Sequence, residues 1–253
     1  MQRGNRVSIS REQQLQYLEA MGIQAWTARQ AEPALAVEPQ AAATASPEAV
    51  PEAPTPDVFA ASSDVVGLDW PALEARVSDC RLCDLHGSRT QTVFGVGNRN
   101  ADWLIIGEAP GHDEDQQGEP FVGRAGQLLN AMLQAVGLQR EQVYIANILK
   151  CRPPNNRDPG PEEVVCCEPY LLRQIELIRP RLILAVGRIA AQNLLNTQTP
   201  IGKLRGEVHR FRDTGIPLIA TYHPAYLLRS PLEKRKSWQD LQLAVRTLQE
   251  PNG

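Results

Sequence analysis

The chain has 253 residues, of which 42 % are hydrophobic, and its formal net charge is −3. This length allows one large core or two small ones. No apolar run is long enough to span a membrane, and the first residues lack the apolar stretch of a signal peptide, so we expect a cytoplasmic protein. Five cysteines without a secretory signal favour metal binding or free thiols over a disulfide framework.

The negative charge is concentrated in the first part of the chain. Residues 1–75 contain 10 acidic and 4 basic residues, which leaves 19 acidic and 22 basic residues in the remainder. Between Lys203 and Lys236, eight Lys and Arg residues are accompanied by only three acidic residues. This bias is consistent with a positive surface that binds nucleic acid, although many enzymes share it.

The N-terminal part divides into two segments. Residues 1–30 include a short predicted helix that begins after Ser10, as N-cap, and stops near Gly22. We interpret this helix either as a peptide that binds a protein partner or as a frayed appendage. Residues 31–67 are rich in Ala, Pro and Glu and bury too little apolar surface to offset the entropy of ordering, so a disordered linker is predicted.

From residue 68 to residue 250, short apolar strands alternate with amphipathic helices. The predicted strands are Trp103–Ile106, Val143–Ile148, Leu182–Val186 and Leu218–Thr221, and the predicted helices are Ala125–Val136, Pro161–Ile178 and Ile189–Leu195. Strands without polar alternation are buried on both faces, as in a parallel sheet covered by helices. We therefore predict an α/β fold, a three-layer α/β/α sandwich around a short, mainly parallel four-stranded sheet.

Polar motifs follow these strands directly. The strands lead into GEAPG (residues 107–111), LKCRPP (149–154), GR (187–188) and YHPAY (222–226). In open parallel sheets, ligands bind beyond the carboxyl ends of the strands, so these motifs are predicted to converge on one edge. Turn requirements explain the glycines and prolines, but they do not explain Glu108, Asn147 or His223.

Three side chains near this edge have chemistry that suits a pyrimidine base. Phe121, after Pro120, is either a core anchor or a stacking platform worth roughly 1–3 kcal/mol. The amide of Asn147 offers one acceptor and two donors that match the edge of a pyrimidine, although an Asn that caps a loop has the same pattern. His223 projects from the end of the fourth strand because Pro224 fixes the following backbone.

The cysteines are spaced like metal ligands. Cys80 and Cys83 form a CxxC pair, Cys151 lies in KCRPP, and Cys166 and Cys167 are adjacent. Four thiolates fit either a structural zinc ion or a [4Fe-4S] cluster, and this spacing does not choose between them. Buried thiols without a metal are the alternative.

Taken in order, the motifs CRLC, FGVGNRNADWLIIGEAPG, GEPFVGRAGQLL, NILKCRPPNNRDP, CEPYL and HPAYLL resemble the family-4 uracil-DNA glycosylases, the iron-sulfur branch of that superfamily. The resemblance extends from Cys80 to Leu248. It implies an enzyme that flips uracil out of single- or double-stranded DNA and hydrolyses its N-glycosidic bond, leaving an abasic site for base excision repair. A monomer that does not bind membranes is expected.

The cofactor that the resemblance implies is a [4Fe-4S] cluster. Its ligands would be Cys80, Cys83, Cys151 and Cys167, the last because the family's cysteine precedes xPYL or xPFL. Cys166 is then a spare thiol. We expect the cluster to be structural, because the glycosylase reaction requires no electrons.

The resemblance also implies a uracil pocket built from the motifs at the strand ends. Phe121 stacks on the base, Asn147 reads its Watson–Crick edge, and His223 contacts the pyrimidine O2 and stabilises the departing uracil anion. Glu108 or Glu114 stabilises the cation that develops on the sugar and positions water. Gly107 and Ala109 complete the predicted pocket, and Leu227, Leu228 and Arg229 are the predicted DNA contacts.

Two other functions fit parts of the pattern. A nucleic-acid-binding module with a cysteine-bound metal would account for the basic segment and the thiols. It gives no reason to place Glu108, Asn147 and His223 at the ends of different strands. A glycosylase of broader range, which also removes hypoxanthine or xanthine, has a sequence pattern that is hard to distinguish from this one.

Overall fold

The computed structural model describes residues 65–249. The predictions for residues 1–64, which are the N-terminal helix and most of the linker, lie outside the described residues. The helices are Trp70–Ser78 (α1), His112–Gln117 (α2), Arg124–Ala135 (α3), Pro161–Ile178 (α4), Arg188–Leu194 (α5), Ile201–Leu204 (α6), Pro224–Arg229 (α7) and Lys234–Gln249 (α8). The strands are Val96–Gly97 (β1), Trp103–Gly107 (β2), Tyr144–Asn147 (β3), Leu182–Val186 (β4), His209–Phe211 (β5) and Ile216–Thr221 (β6).

The strands form one sheet in the order β1-β3-β2-β4-β6-β5. The four central strands are parallel, whereas β1 and β5 pair antiparallel at the two edges. The four central strands are those predicted from the sequence. The predicted number of strands is wrong, because the edge strands have only two and three residues and carry no continuous apolar run.

Two apolar cores lie on opposite faces of the sheet. Ile106 and Ala185 belong to the core that contains residues of α4 and α5. Their strand neighbours Ile105 and Leu184 belong to the core that contains residues of α3 and α8. Because successive side chains of a strand point to opposite faces, both faces of each central strand are buried. The predicted three-layer α/β/α arrangement is confirmed.

Helix α4 has the bounds predicted from the sequence. Pro161 occupies its first turn, where the missing N–H needs no partner, and the carboxylate of Glu163 accepts a hydrogen bond of 2.7 Å from the N–H of Gly160. The helix ends at Arg179, which adopts a left-handed conformation with φ 51°. Capping at both ends therefore specifies the bounds of this helix locally.

Helix α8 is tied to the end of β6 by the buried carboxylate of Asp240, which also pairs with Arg205. Asp240 is fully buried, and its carboxylate accepts hydrogen bonds from Thr221 Oγ1 (2.9 Å) and from the Arg205 guanidinium (2.8 and 3.1 Å). Burial raises the pKa of Asp240, while the bonds from Thr221 and Arg205 act in the opposite direction. Since Thr221 precedes His223 by two residues, this tie helps to fix the backbone from which His223 projects.

The four parallel strands end at a common edge. Gly107 of β2 is paired with Asn147 of β3, and Val186 of β4 is paired with Thr221 of β6. The loops that follow these residues therefore start side by side, as the strand-end motifs predicted. None of the described helices has the length and apolar character needed to cross a membrane.

Candidate active site

A cavity of about 210 Å³ lies at this edge of the sheet. It is lined by six residues predicted from the sequence, namely Glu108, Ala109, Glu114, Phe121, Asn147 and His223, and by Pro110 and Gly111 of the GEAPG motif. Lining residues that the sequence did not indicate are Ala125, Pro153, Asn156, Arg157 and Ala225. The motifs at the ends of different strands thus share one pocket.

Asn147 lines this pocket and carries a buried acceptor without a hydrogen-bond partner among the described residues. Its side chain is 2 % exposed, and its Oδ1 atom has no hydrogen-bond partner among the described residues. A methyl group on Gly107 would lie 2.4 Å from this Oδ1 atom and 2.7 Å from Cζ of Phe121, so a glycine is required there. A buried acceptor without a partner costs about 1–3 kcal/mol, which a ligand N–H can recover. This orphaned oxygen is the strongest indication of a ligand in the pocket.

His223 presents one defined donor. Its Nδ1 atom accepts a hydrogen bond of 3.2 Å from the N–H of Ala225, so the proton of the neutral ring is on Nε2. Burial lowers the pKa of His223 to about 4, and the charge of Arg229 adds to this effect. The ring is therefore neutral at pH 7. Gly187, with φ +99°, leaves room for it, since a methyl group there would lie 3.1 Å from His223 Cβ.

Phe121 lies on a loop with a positive φ angle, and contacts with Arg140 and Gly126 hold this loop in place. The residue is 6 % exposed and has φ 55°, and its ring stacks on His223 with 5.6 Å between centroids and 30° between planes. Arg140 donates hydrogen bonds to the carbonyl groups of Pro120 (2.5 Å) and Phe121 (3.3 Å). A methyl group on Gly126 would lie 1.7 Å from the Phe121 carbonyl oxygen. These contacts offset the cost of the positive φ and fix the ring on one side of the pocket.

Glu114 is the pocket carboxylate that is bound to the backbone. Its Oε2 accepts from the N–H of Gly111 (3.1 Å), and its Oε1 accepts from the N–H groups of Val122 (3.0 Å) and Gly123 (3.3 Å). Glu114 thereby ties the loop after β2 to the loop that carries Phe121. Both of its oxygens are engaged by backbone donors.

Glu108 is the less constrained carboxylate. It is partly buried, and its side chain accepts no hydrogen bond from the residues that the structure describes. Burial raises the pKa of Glu108, Asp158 adds to the rise, and Arg188 opposes it. Arg188 donates a hydrogen bond of 2.6 Å to Asp158. The pocket therefore contains a carboxylate whose oxygens are available to a ligand.

One wall of the pocket is the loop after β3. Arg157 is held by Glu163 through two hydrogen bonds of 2.5 and 2.9 Å, and this pairing lowers the pKa of Glu163. Asn155 and Asn156 adopt left-handed conformations with φ 55° and 53°. The Asn and Pro residues of the segment predict a turn, but nothing in its sequence indicates that Asn156 and Arg157 face the cavity.

The predicted DNA contact at Leu227 is wrong. Leu227 is fully buried, because it lies one helical turn after the buried Pro224 on the side of α7 that packs against α3. Leu228 is partly buried and Arg229 is exposed, so these two remain near the surface. Leu232, in the turn between α7 and α8, is 92 % exposed.

The five thiols form a second polar group, the cysteine set, which consists of Cys80, Cys83, Cys151, Cys166 and Cys167. None of them is in a disulfide. The pKa of Cys83 is raised to about 11, mainly by burial and in part by Cys151, Cys166 and Cys80. Burial raises the pKa of Cys167 to about 12, with Cys151 and Cys83 among the groups that add to it. The four predicted ligands are thus neighbours, and Cys166 lies among them. Within residues 65–249, no three His, Cys, Asp or Glu side chains meet the geometry of a single-ion site.

Two of these sulfurs each accept one hydrogen bond. Arg89 donates to Cys151 Sγ at 3.1 Å, and the backbone N–H of Lys150 donates to Cys167 Sγ at 3.4 Å. By contrast, Cys166 donates its S–H to a backbone carbonyl at 3.3 Å. Sulfur atoms that accept hydrogen bonds suit metal-bound thiolates, so Cys151 and Cys167 fit a ligand role and Cys166 fits a free thiol.

The sequence of the chain is similar to those of a known protein family. Residues 94–242 match the family model described as the uracil DNA glycosylase superfamily. A type-4 uracil-DNA glycosylase of Archaeoglobus fulgidus is 53 % identical over 161 residues, which are 61 % of this chain and 81 % of that protein. The corresponding protein of Pyrobaculum aerophilum is 42 % identical over 180 residues, 69 % of this chain and 92 % of that protein. That of Thermotoga maritima is 47 % identical over 156 residues, 61 % of this chain and 81 % of that protein.

The family model covers more than half of the chain and includes the pocket residues from Glu108 to His223. The relatives match over most of their own length, so the likeness is not confined to one motif. The chain therefore belongs to the uracil-DNA glycosylase superfamily and, within it, to the type-4 uracil-DNA glycosylases.

Proposed function

We propose that the cavity at the sheet edge binds a uracil base flipped out of DNA and that the residues lining it break the bond between the base and the sugar. The observation that carries this assignment is the buried Oδ1 of Asn147, which has no hydrogen-bond partner among the described residues. Uracil presents an N3–H donor between two carbonyl acceptors. Asn147 can accept from N3–H and donate from its amide to O4, a pattern that cytosine does not match.

Stacking and shape complete the recognition of the base. The ring of Phe121 is fixed by its loop contacts and offers a flat apolar surface beside Asn147. Stacking of a base on such a ring is worth roughly 1–3 kcal/mol. The absence of a side chain at Gly107 keeps the space between Phe121 and Asn147 open.

In the chemical step, the bond between C1′ of the sugar and N1 of uracil breaks. The bonding electrons leave with the base, so negative charge develops on N1 and O2 while positive charge develops on C1′ and O4′. The neutral His223 donates from Nε2 toward O2, because its Nδ1 is engaged by the N–H of Ala225. A fixed donor in a partly dry pocket stabilises the developing anion without reorganisation.

A carboxylate stabilises the cation that develops on the sugar. We assign this role to Glu108, because its carboxylate is free of protein hydrogen bonds in the described part of the chain. Water adds to C1′, and the proton that it loses neutralises the departed uracil anion, which completes hydrolysis and leaves an abasic site. Glu114 acts as a positioning residue, since its oxygens are bound to the backbone of the loops that frame the pocket.

Exposed side chains near the pocket supply DNA contacts. Arg157 lies on the pocket wall, and Arg229 lies at the end of α7, where both can meet phosphates. Leu228, which precedes Arg229 on α7 and is partly buried, adds apolar surface next to it. Leu232 replaces Leu227 as the side chain that fills the space left by the flipped base, because an apolar wedge has to be exposed before DNA binds.

We further propose that Cys80, Cys83, Cys151 and Cys167 hold a [4Fe-4S] cluster. The donors at Cys151 and Cys167 and the positive charges of Arg89 and Lys150 fit four thiolates around an anionic cluster. When bound, the cluster supplies structural cross-linking of the segments that carry its ligands. Absorbance near 400 nm, with iron and sulfide in the purified protein, tests this cofactor, and zinc in their place would refute it.

Release of bases from oligonucleotides tests the function. Single- and double-stranded oligonucleotides that carry one uracil, hypoxanthine, xanthine or cytosine would be incubated with the protein, and the free base and abasic sites would be measured. We expect release of uracil from both kinds of DNA and no release of cytosine. Release of hypoxanthine or xanthine at a similar rate would indicate a broader glycosylase. No release of any base, together with retained DNA binding, would indicate a binding module instead.

A further inference from the structure

Lys150 is a buried lysine that the chemistry described above does not use. It is 1 % exposed, and its Nζ donates to the backbone carbonyl of Asn147 (3.0 Å) and to Oε1 of Gln174 (2.7 Å). Gln174 is also fully buried and is itself held by a hydrogen bond of 2.9 Å to the carbonyl of Phe94. Both acceptors of the ammonium group are neutral oxygen atoms.

The charge of Lys150 has no carboxylate partner in the described part of the chain. Two hydrogen bonds to neutral oxygens offset only part of the cost of burying an ammonium ion, which favours an opposite charge nearby. Two proposed ligand sulfurs lie next to Lys150: Cys151 follows it in the chain, and Cys167 Sγ accepts its backbone N–H at 3.4 Å. Thiolates kept ionised by a bound metal would supply that charge.

The other end of the Lys150 network is the base pocket. The N–H groups of Ile148 and Leu149 donate to the carbonyls of Gly107 (3.0 Å) and Glu108 (3.1 Å). These bonds continue the pairing of β2 with β3 past the strand ends. The carbonyl of Asn147 is held by Lys150 instead. Lys150 therefore fixes the peptide group from which the base-reading side chain projects.

We propose that Lys150 is a positioning residue that links the cysteine set to the base pocket: its ammonium group is the counter-charge of the Cys151 and Cys167 thiolates and holds the backbone of Asn147. The inference rests on the proposed function of the pocket and deepens it. The metal site then contributes to base recognition without touching DNA, and loss of the ammonium charge weakens both metal retention and uracil binding.

Three variants of the iron-loaded protein test this link. Lys150→Met keeps an unbranched side chain that is one atom shorter and removes its charge, whereas Lys150→Arg keeps the charge and changes the donor geometry. Arg181→Met is the matched control, because Arg181 is an exposed cation at the opposite end of β4. Two quantities are measured for each protein: the rate at which a chelator removes iron, and the affinity for DNA carrying 2′-fluoro-2′-deoxyuridine, which resists cleavage, relative to unmodified DNA.

We expect Lys150→Met to bind the uracil analogue about tenfold more weakly, to bind unmodified DNA as before, and to lose iron several-fold faster. Lys150→Arg should lose iron at the rate of the unaltered protein and bind the analogue less tightly, and Arg181→Met should match the unaltered protein in both. Faster iron loss with unchanged binding of the analogue would overturn the link to the pocket. Weaker binding with unchanged iron loss would overturn the role as counter-charge.

A folding failure of Lys150→Met leaves Lys150→Arg as the deciding variant. If Lys150→Arg binds the uracil analogue as tightly as the unaltered protein, the proposal is wrong. Failure of the proposed function is distinguishable, because the unaltered protein would then show no preference for the uracil analogue over unmodified DNA. That result would also overturn the inference about Lys150. If only the Lys150 variants lose the preference for the uracil analogue, the proposed function of the pocket stands and the result bears on Lys150.

Discussion

The base pocket and the cysteine set, which residues 147–151 connect, differ in whether their buried acceptor atoms receive hydrogen bonds. In the pocket, Oδ1 of Asn147 accepts no hydrogen bond from the described residues. In the cysteine set, the sulfurs of Cys151 and Cys167 each accept one. An acceptor left open suits a ligand that comes and goes, whereas satisfied sulfurs suit a permanent group. Four predictions test whether this contrast is real, in decreasing order of expected effect.

The neighbours Cys167 and Cys166 provide the largest contrast. We expect Cys167→Ser to lose most of its iron and to unfold at a temperature about 10 °C lower or more, because a structural metal site contributes directly to folding. Cys166→Ser should keep its iron, since Cys166 donates to a backbone carbonyl. Iron per chain and thermal unfolding by circular dichroism are the measurements. Equal losses in both variants would show that the two thiols are not distinguished.

His223→Ala should slow uracil excision by about 10²–10³-fold, because it removes a fixed donor to the developing anion. DNA binding should change by less than about threefold, since the lost interaction forms mainly in the transition state. Single-turnover excision and equilibrium binding would be measured side by side. His209→Ala, in β5, serves as the control. An equal loss of binding and excision would make His223 a docking residue.

The low pKa of His223 makes the stability of the fold sensitive to acid. The folded-state pKa is about 4 against an ordinary value of 6.5, so below pH 6.5 the unfolded chain takes up a proton that the folded protein does not. The contribution is fully present above pH 6.5 and is lost as pH falls toward 4, by on the order of 2 kcal/mol between pH 6.5 and pH 5. Urea unfolding at these two pH values should show a smaller loss for His223→Gln. The same loss in both proteins would contradict the assignment.

Asn147→Asp should reduce the preference for uracil over cytosine by about tenfold, because a carboxylate cannot donate to O4 of uracil. Competition between uracil and cytosine oligonucleotides would measure the preference. Asn193→Asp is a suitable control, since Asn193 lies on α5 and bonds to a backbone carbonyl. If the preference survives in Asn147→Asp, the open acceptor is not part of base recognition.

The parts of the fold that were predicted correctly are those fixed locally. Helix α4 has its predicted bounds because Gly160, Pro161 and Glu163 specify its start. The central strands are continuous apolar runs, which require burial on both faces. Strands β1 and β5 were missed because short edge strands depend on pairing with a neighbour rather than on their own composition.

The same distinction holds in the site. Asn147 and His223 were predicted to share a pocket because the ends of parallel strands necessarily meet. Arg157 was missed because its place on the pocket wall depends on Glu163, which lies on a helix rather than at a strand end. Leu227 was misplaced because the buried side of a six-residue helix is set by what packs against it. Contacts between side chains of different elements leave no recognisable pattern in the sequence.

The hydrogen bond between Asp240 and Thr221 has a consequence for folding during synthesis. The backbone that carries His223 is held in part by a carboxylate from the last helix of the described domain, so this tie is missing while that helix is still inside the ribosome. A growing chain should therefore bind uracil more weakly until α8 has emerged. Ribosome-stalled chains that differ only in whether residues 234–249 are outside the exit tunnel should differ in uracil binding.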